Sequence, residues 1–189
     1  MGCCPLSRSF EKRNRFGIGV STLRIKTREV IYSAFIGSIL YLLFVLFSNI
    51  LYVEMLTFTL IVFSLSFPIY TVVYGALLFG MLQILLNGLL PWNVMYLCIY
   101  PLYALITYVF KNILENHPLR IAFYGMFLSF LMGQLMELPF LFFSKTITIA
   151  YILLGLKTSI IQSLITFLEF LFLFDPVKRI LIQIRKESL

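Results

Sequence analysis

The chain has 189 residues, 61% hydrophobic and only 12% charged, and its 15 Lys and Arg against 8 Asp and Glu give a formal net charge of +7. Apolar runs long enough to cross a bilayer follow one another, which excludes an ordinary soluble domain and leaves room for one helical bundle. The basic balance is not a nucleic-acid signal, because Lys and Arg gather at the two termini and one linker, where they set topology and touch anionic lipid.

Residues 1–28 carry Arg8, Lys12, Arg13, Arg15, Arg24, Lys26 and Arg28 against a single acid, Glu11. This basic tail is expected in the cytoplasm. It lacks the apolar core of a cleavable signal peptide. Cys3 and Cys4 follow Gly2, but the myristoylation pattern wants Ser or Thr where Leu6 stands. With Cys98 inside an apolar segment, the three cysteines give no disulfide framework.

The first span is predicted over 30–47. Within it Ser33 and Gly37, and beside them Ala34 and Ser38, form two overlapping small-xxx-small pairs, a smooth strip that another helix can approach closely. These four residues are the candidate partner-docking face. Ser48, Asn49 and Glu54 then bracket a short turn, and no residue between 55 and 110 is charged. As one helix, 55–90 would be about 50 Å long, against a hydrocarbon core of about 30 Å. It is therefore predicted to break at Pro68, which lacks a donor and clashes with the preceding turn. A second break falls at Asn87, Gly88, Pro91 and Trp92. Further spans follow at 93–110, 121–143 and 147–174, the last stopping at Pro176.

Lys111 and Arg120 flank the polar linker KNILENHPLR. If that linker is cytoplasmic like the tail, an even number of spans must precede it, and four satisfy this. The fold predicted is an all-α membrane protein: six transmembrane helices in one bundle over 29–184, both termini cytoplasmic, with a basic tail 1–28 and a C-terminal tail 185–189. The second span is the shortest, about sixteen residues even if it begins at Tyr52, and is either a little-tilted crossing or partly re-entrant. No internal repeat supports an inverted-repeat transporter.

The chain has no HExxH, GxSxG or CxxC, and its single histidine, His117, sits in the linker beside Pro118. An enzyme is not expected, and neither are a metal or a cofactor. The spans do hold sparse polar groups at helical spacing. Gly80, Gln83 and Asn87 share one face, and Asn93, Tyr96, Tyr100 and Tyr103 repeat the pattern; these tyrosines either pack in the core and interface or line a pocket. Gln134 and Glu137 share a face in the outer part of the fifth span, where an ionisable group should meet protein, water or a ligand. Lys157 has a stem long enough to reach towards Glu137, either pinning two helices or serving a ligand, with Thr158 and Gln162 nearby. Glu169 is expected to snorkel to Lys178 or the interface. The candidate substrate-binding residues are Asn87, Trp92, Asn93, Tyr96, Gln134, Glu137, Lys157 and Gln162. These groups are not expected to form a relay from face to face, which favours a cup open on the outer side over a channel or pump.

Six apolar spans, cytoplasmic termini, the small-residue face of the first helix and outer polar clusters near loops one, three and five resemble the substrate-binding S component of energy-coupling factor (ECF) vitamin transporters. The resemblance covers about 29–184. In that family the first helix bears an Ala-xxx-Ala type motif that packs on the coupling subunit; here the matching positions read Ala34 and Ser38. The resemblance implies a multi-pass plasma-membrane protein, of bacterial type, that binds a vitamin or related micronutrient. It would associate with a transmembrane coupling subunit and two cytoplasmic ATPase subunits of an ABC importer, binding no ATP itself. Cobalamin, a pyridoxine-like compound, pantothenate and a pyrimidine all remain open as cargo. A stand-alone membrane interaction protein and a small autonomous carrier are the alternatives.

Overall fold

The computed structural model describes residues 27–50, 52–114, 117–142 and 145–187. The tail 1–26 with Cys3 and Cys4, and Ser144 of the last expected turn, lie outside the described residues. Six α-helices follow one another: α1 Thr27–Phe47, α2 Met55–Ser66, α3 Ile69–Asn87, α4 Pro91–Leu114, α5 Pro118–Leu135 and α6 Lys145–Glu187, with a short 3-10 helix, Leu138–Phe142, before α6. No strand occurs among the described residues. α1, α3, α4, α6, and α5 with its 3-10 extension, are long and apolar enough to cross a membrane.

Local chemistry sets the breaks. Phe67 adopts the extended conformation (φ −112°, ψ 164°) that the residue before a proline favours, and its N–H closes α2 on the Phe63 carbonyl at 2.9 Å. α3 ends where Gly88 takes φ +85°, a conformation open to a residue without Cβ. α4 restarts on Pro91, in a first turn where a missing donor goes unnoticed.

Three elements depart from expectation. α2 has 12 residues, about 18 Å of helix, so it is too short to cross alone. The fifth span is not one helix through 143: Pro139 ends the α-helical geometry, and Glu137 falls in the turn between α5 and the 3-10 helix, its N–H on the Gln134 carbonyl at 3.2 Å. The last span does not stop at Pro176. α6 runs 43 residues through it to Glu187, because one proline removes only one helical hydrogen bond from a long ladder.

The short helix occupies the centre. All of α2 except Met55 and Thr59 is buried, and it packs on α1, α3, α4, α5 and α6. The outer helices turn large apolar side chains outward: Leu85, Leu154 and Phe172 are 77%, 74% and 75% exposed. Surfaces of that kind are stable against acyl chains and not against water. The protein is an all-helical membrane protein.

α1 and α3 cross at small residues. The Ser33 hydroxyl lies 3.0 Å from the Thr71 carbonyl and 2.8 Å from that of Glu29. A Cβ on Gly37 would lie 2.9 Å from the Gly75 carbonyl oxygen, and one on Gly75 would lie 2.7 Å from Ile36 Cγ2. Ser33 and Gly37 are therefore consumed inside the bundle, while Ala34 and Ser38 face outward and are exposed. Neighbouring helical positions point about 100° apart, so the two pairs cannot serve one partner. Gly37→Leu should lower stability by about 1–3 kcal/mol through overpacking, whereas Ala34→Leu should stay within about 0.5 kcal/mol. Thermal unfolding of the detergent-solubilised variants checks the contrast.

Candidate functional site

Because α2 starts part-way through the bundle, the space above its first turn is filled by none of the described helices. The chain reaches it through a non-helical approach, with Tyr52 at φ +71° and Glu54 directly before the helix. Irregular backbone at membrane depth is tolerated where it is buried or lines a cavity, and here it lines one. Two lobes of about 280 and 370 Å³ meet above α2, sharing Glu54, Leu56, Tyr96 and Gln162. The first lobe runs between α4, α5 and α6 past Tyr100, Gly133, Glu137, Gly155 and Ser159. The second runs under the α1–α2 connection past Phe44, Ser48, Tyr52 and Trp92. The α1–α2 connection, the first turn of α4 and the turn after α5 thus border the cavity, while at the far end of α2 the Lys111 ammonium donates to the Leu65 carbonyl at 2.7 Å.

Glu54 forms the floor. Its carboxylate accepts from the Thr57 hydroxyl at 2.5 Å and from the Ser129 hydroxyl at 2.6 Å, and Thr166 donates in turn to Ser129 at 3.1 Å. A carboxylate offers about four acceptor positions, so these two donors do not exhaust its capacity. The fully buried Tyr100 hydroxyl approaches this carboxylate without closing a hydrogen bond. The Tyr96 and Tyr100 rings lie 5.5 Å apart, each set edge-on against Phe79 at 5.7 and 5.3 Å. At the rim, Glu137 sits beside Gly155, where a Cβ would come within 3.5 Å of its Oε1. Trp92 lies 6.4 Å from Phe140 of the 3-10 helix.

Of the residues expected from sequence, Trp92, Tyr96, Glu137 and Gln162 line the cavity. Gln134 stands behind it, donating to Ser159 at 2.9 Å and tying α5 to α6. Asn93 is buried and donates to the Gly88 carbonyl at 2.8 Å, which fixes the α3–α4 turn. Asn87 is exposed and donates to Gln83 at 2.7 Å within α3. Lys157 does not meet Glu137: Gly155, Thr158, Ser159 and Gln162 form the inward face of α6, and Lys157 points out of the bundle. Among the described residues no ion pair joins Glu54 or Glu137 to a cation.

Glu54 itself was legible only as a turn residue, although it is the last charge before the long uncharged stretch. Tyr100 belongs to the tyrosine stripe, one turn beyond Tyr96. Glu169 does not snorkel: it is buried, one carboxylate oxygen lacks a hydrogen bond, and it shares a face of α6 with Gln162 and Thr166. Below the cavity floor a polar column of Glu54, Ser129, Thr166 and Glu169 therefore continues where an apolar interior was expected.

These features define a helical membrane protein with an acidic, aromatic cavity at one end of its bundle. No family model matches the chain, and neither a curated protein nor a solved structure matches it.

Two tyrosines provide a test of the geometry. Tyr103 donates its hydroxyl to the Leu128 carbonyl at 3.1 Å, so Tyr103→Phe should destabilise by about 1 kcal/mol. Tyr100→Phe removes a hydroxyl that has no partner and should leave stability unchanged or slightly raised. Thermal unfolding of the ligand-free protein reads both.

Proposed function

We propose that the protein is the substrate-binding S component of an ECF-type importer. On this reading it crosses the membrane six times with both termini in the cytoplasm, the short α2 and its extended approach making one crossing together. It captures a vitamin or related micronutrient in the cavity above α2 at the outer face of the plasma membrane. Partner subunits, a transmembrane coupling protein and two ATPases, drive its delivery inward.

The observation that carries the reading is the cavity itself. It is polar at its floor, walled by aromatic rings, bordered by the α1–α2 connection, the first turn of α4 and the turn after α5, and at the opposite end of α2 from Lys111, whose basic linker this reading puts in the cytoplasm. Its two small lobes favour a compact ligand such as a pyridoxine-like compound or a pyrimidine over cobalamin, whose macrocycle far exceeds either lobe. The exposed Ala34 and Ser38 leave a smooth outward strip on α1 for the coupling subunit, since Ser33 and Gly37 are already taken by α3.

Ala34→Leu or Ser38→Leu should abolish cellular uptake of the ligand that co-purifies with the protein, identified by mass spectrometry, while binding by the purified protein persists. Loss of binding together with uptake would contradict the assignment of this strip to a partner. Uptake by the chain alone, without coupling subunits, would favour an autonomous carrier. A chain that carries no small molecule would favour a membrane interaction protein.

A further inference from the structure

Taking the cavity as a substrate site, as proposed above, we infer that its ligand is a small heteroaromatic cation whose positive nitrogen sits against Glu54. Two carboxylates, Glu54 and Glu137, open onto the first lobe, and no described residue lining either lobe carries a positive charge. Lys157 points out of the bundle, and Lys111 donates to Leu65 at the opposite end of α2. None of the described cations balances this floor, and a buried anion without a partner is strongly disfavoured, so a bound cation would relieve it.

A second, independent observation points the same way. The Tyr100 side chain lines the first lobe, and its wholly buried hydroxyl, close to Glu54, closes no hydrogen bond of good geometry. A buried polar group is rarely left so unless something absent completes it. Its neighbour is the Glu54 carboxylate, which still has open acceptor positions after Thr57 and Ser129 have bonded to it. A ligand nitrogen at this point would be met by a carboxylate and a phenol at once.

The walls fit a charged ring. Tyr96 lines both lobes and Tyr100 stands 5.5 Å from it, both presenting π-systems beside the carboxylate. Aromatic faces attract cations and stack on heteroaromatic rings. An anionic ligand such as pantothenate would instead place its carboxylate among two acids and no base. The same arrangement therefore selects against anions as well as for cations.

The test uses the full-length purified protein and its only tryptophan, Trp92, which lines the second lobe. Thiamine serves as a heteroaromatic cation, pyridoxamine as a protonated amine on a heteroaromatic ring, and pantothenate as an anion; each is titrated while Trp92 fluorescence is recorded. Small molecules released from the protein by denaturation are identified in parallel by mass spectrometry. The inference expects a cation among the released or titrating compounds, with affinity falling at least tenfold in Glu54→Gln and by a smaller factor in Glu137→Gln. Because Glu54→Gln also alters two structural hydrogen bonds, Tyr100→Phe serves as the second variant and should weaken the same cation severalfold with an unchanged melting temperature.

Binding of pantothenate, or of any released anion or neutral compound, with affinity unaffected by Glu54→Gln would overturn the cationic assignment and leave the receptor reading standing. No bound compound in either measurement would overturn the receptor reading and this inference with it.

Discussion

The structure depends on the shortness of α2. In hydrocarbon every backbone donor and acceptor must find a partner within the protein, so a helix of 12 residues that starts and ends inside a bundle must be enclosed on all sides. The surrounding helices meet that demand by burying almost the whole of α2. What they cannot do is fill the space beyond its first residue. The cavity, the N-terminal end of the helix that borders it and the carboxylate of Glu54 at that end are consequences of one truncated element.

Enclosure on all sides requires close approach elsewhere, and residues with little side chain supply it. Gly37 and Gly75 bring α1 against α3, Gly80 brings α3 to the Leu97 backbone of α4, and Gly125 and Gly133 seat Phe170 and Ser159 of α6 against α5. Buried hydroxyls add directional links within and between the helices: Thr107 bonds within α4 and reaches Tyr124, and Ser129 joins Glu54 to Thr166. These contacts hold the walls at fixed spacing around a space that none of the described residues fills. In a membrane, where apolar burial does not drive helices together, such packing and hydrogen bonds carry the assembly.

Much of the helix pattern was legible because prolines and glycines act locally. The breaks at Pro68 and at Gly88–Pro91 follow from a missing donor and a positive φ, and both lie where the residues demand them. Pro176 shows the limit of the same rule, since one lost bond inside a long apolar helix does not end it. Glu137 and Lys157 seemed close along their spans, but the rotation of α6 that turns Gly155 and Ser159 inward turns Lys157 outward. That rotation is set by packing of α6 on α5, which no local pattern in α6 encodes. Glu54 was hidden for a related reason. Its depth depends on where α2 begins relative to Ser129 of α5, a contact across 75 positions of chain.

On the receptor reading, the space above α2 opens to the exterior and ends at that helix. Thr158 lines this space without being fully buried, so the accessibility of a cysteine there reads the claim directly. In a chain carrying Thr158→Cys with Cys3, Cys4 and Cys98 replaced by serine, a membrane-impermeant maleimide added to intact cells should modify the new thiol, and the ligand should protect it. Modification only after the cells are permeabilised, or none under either condition, would contradict the account.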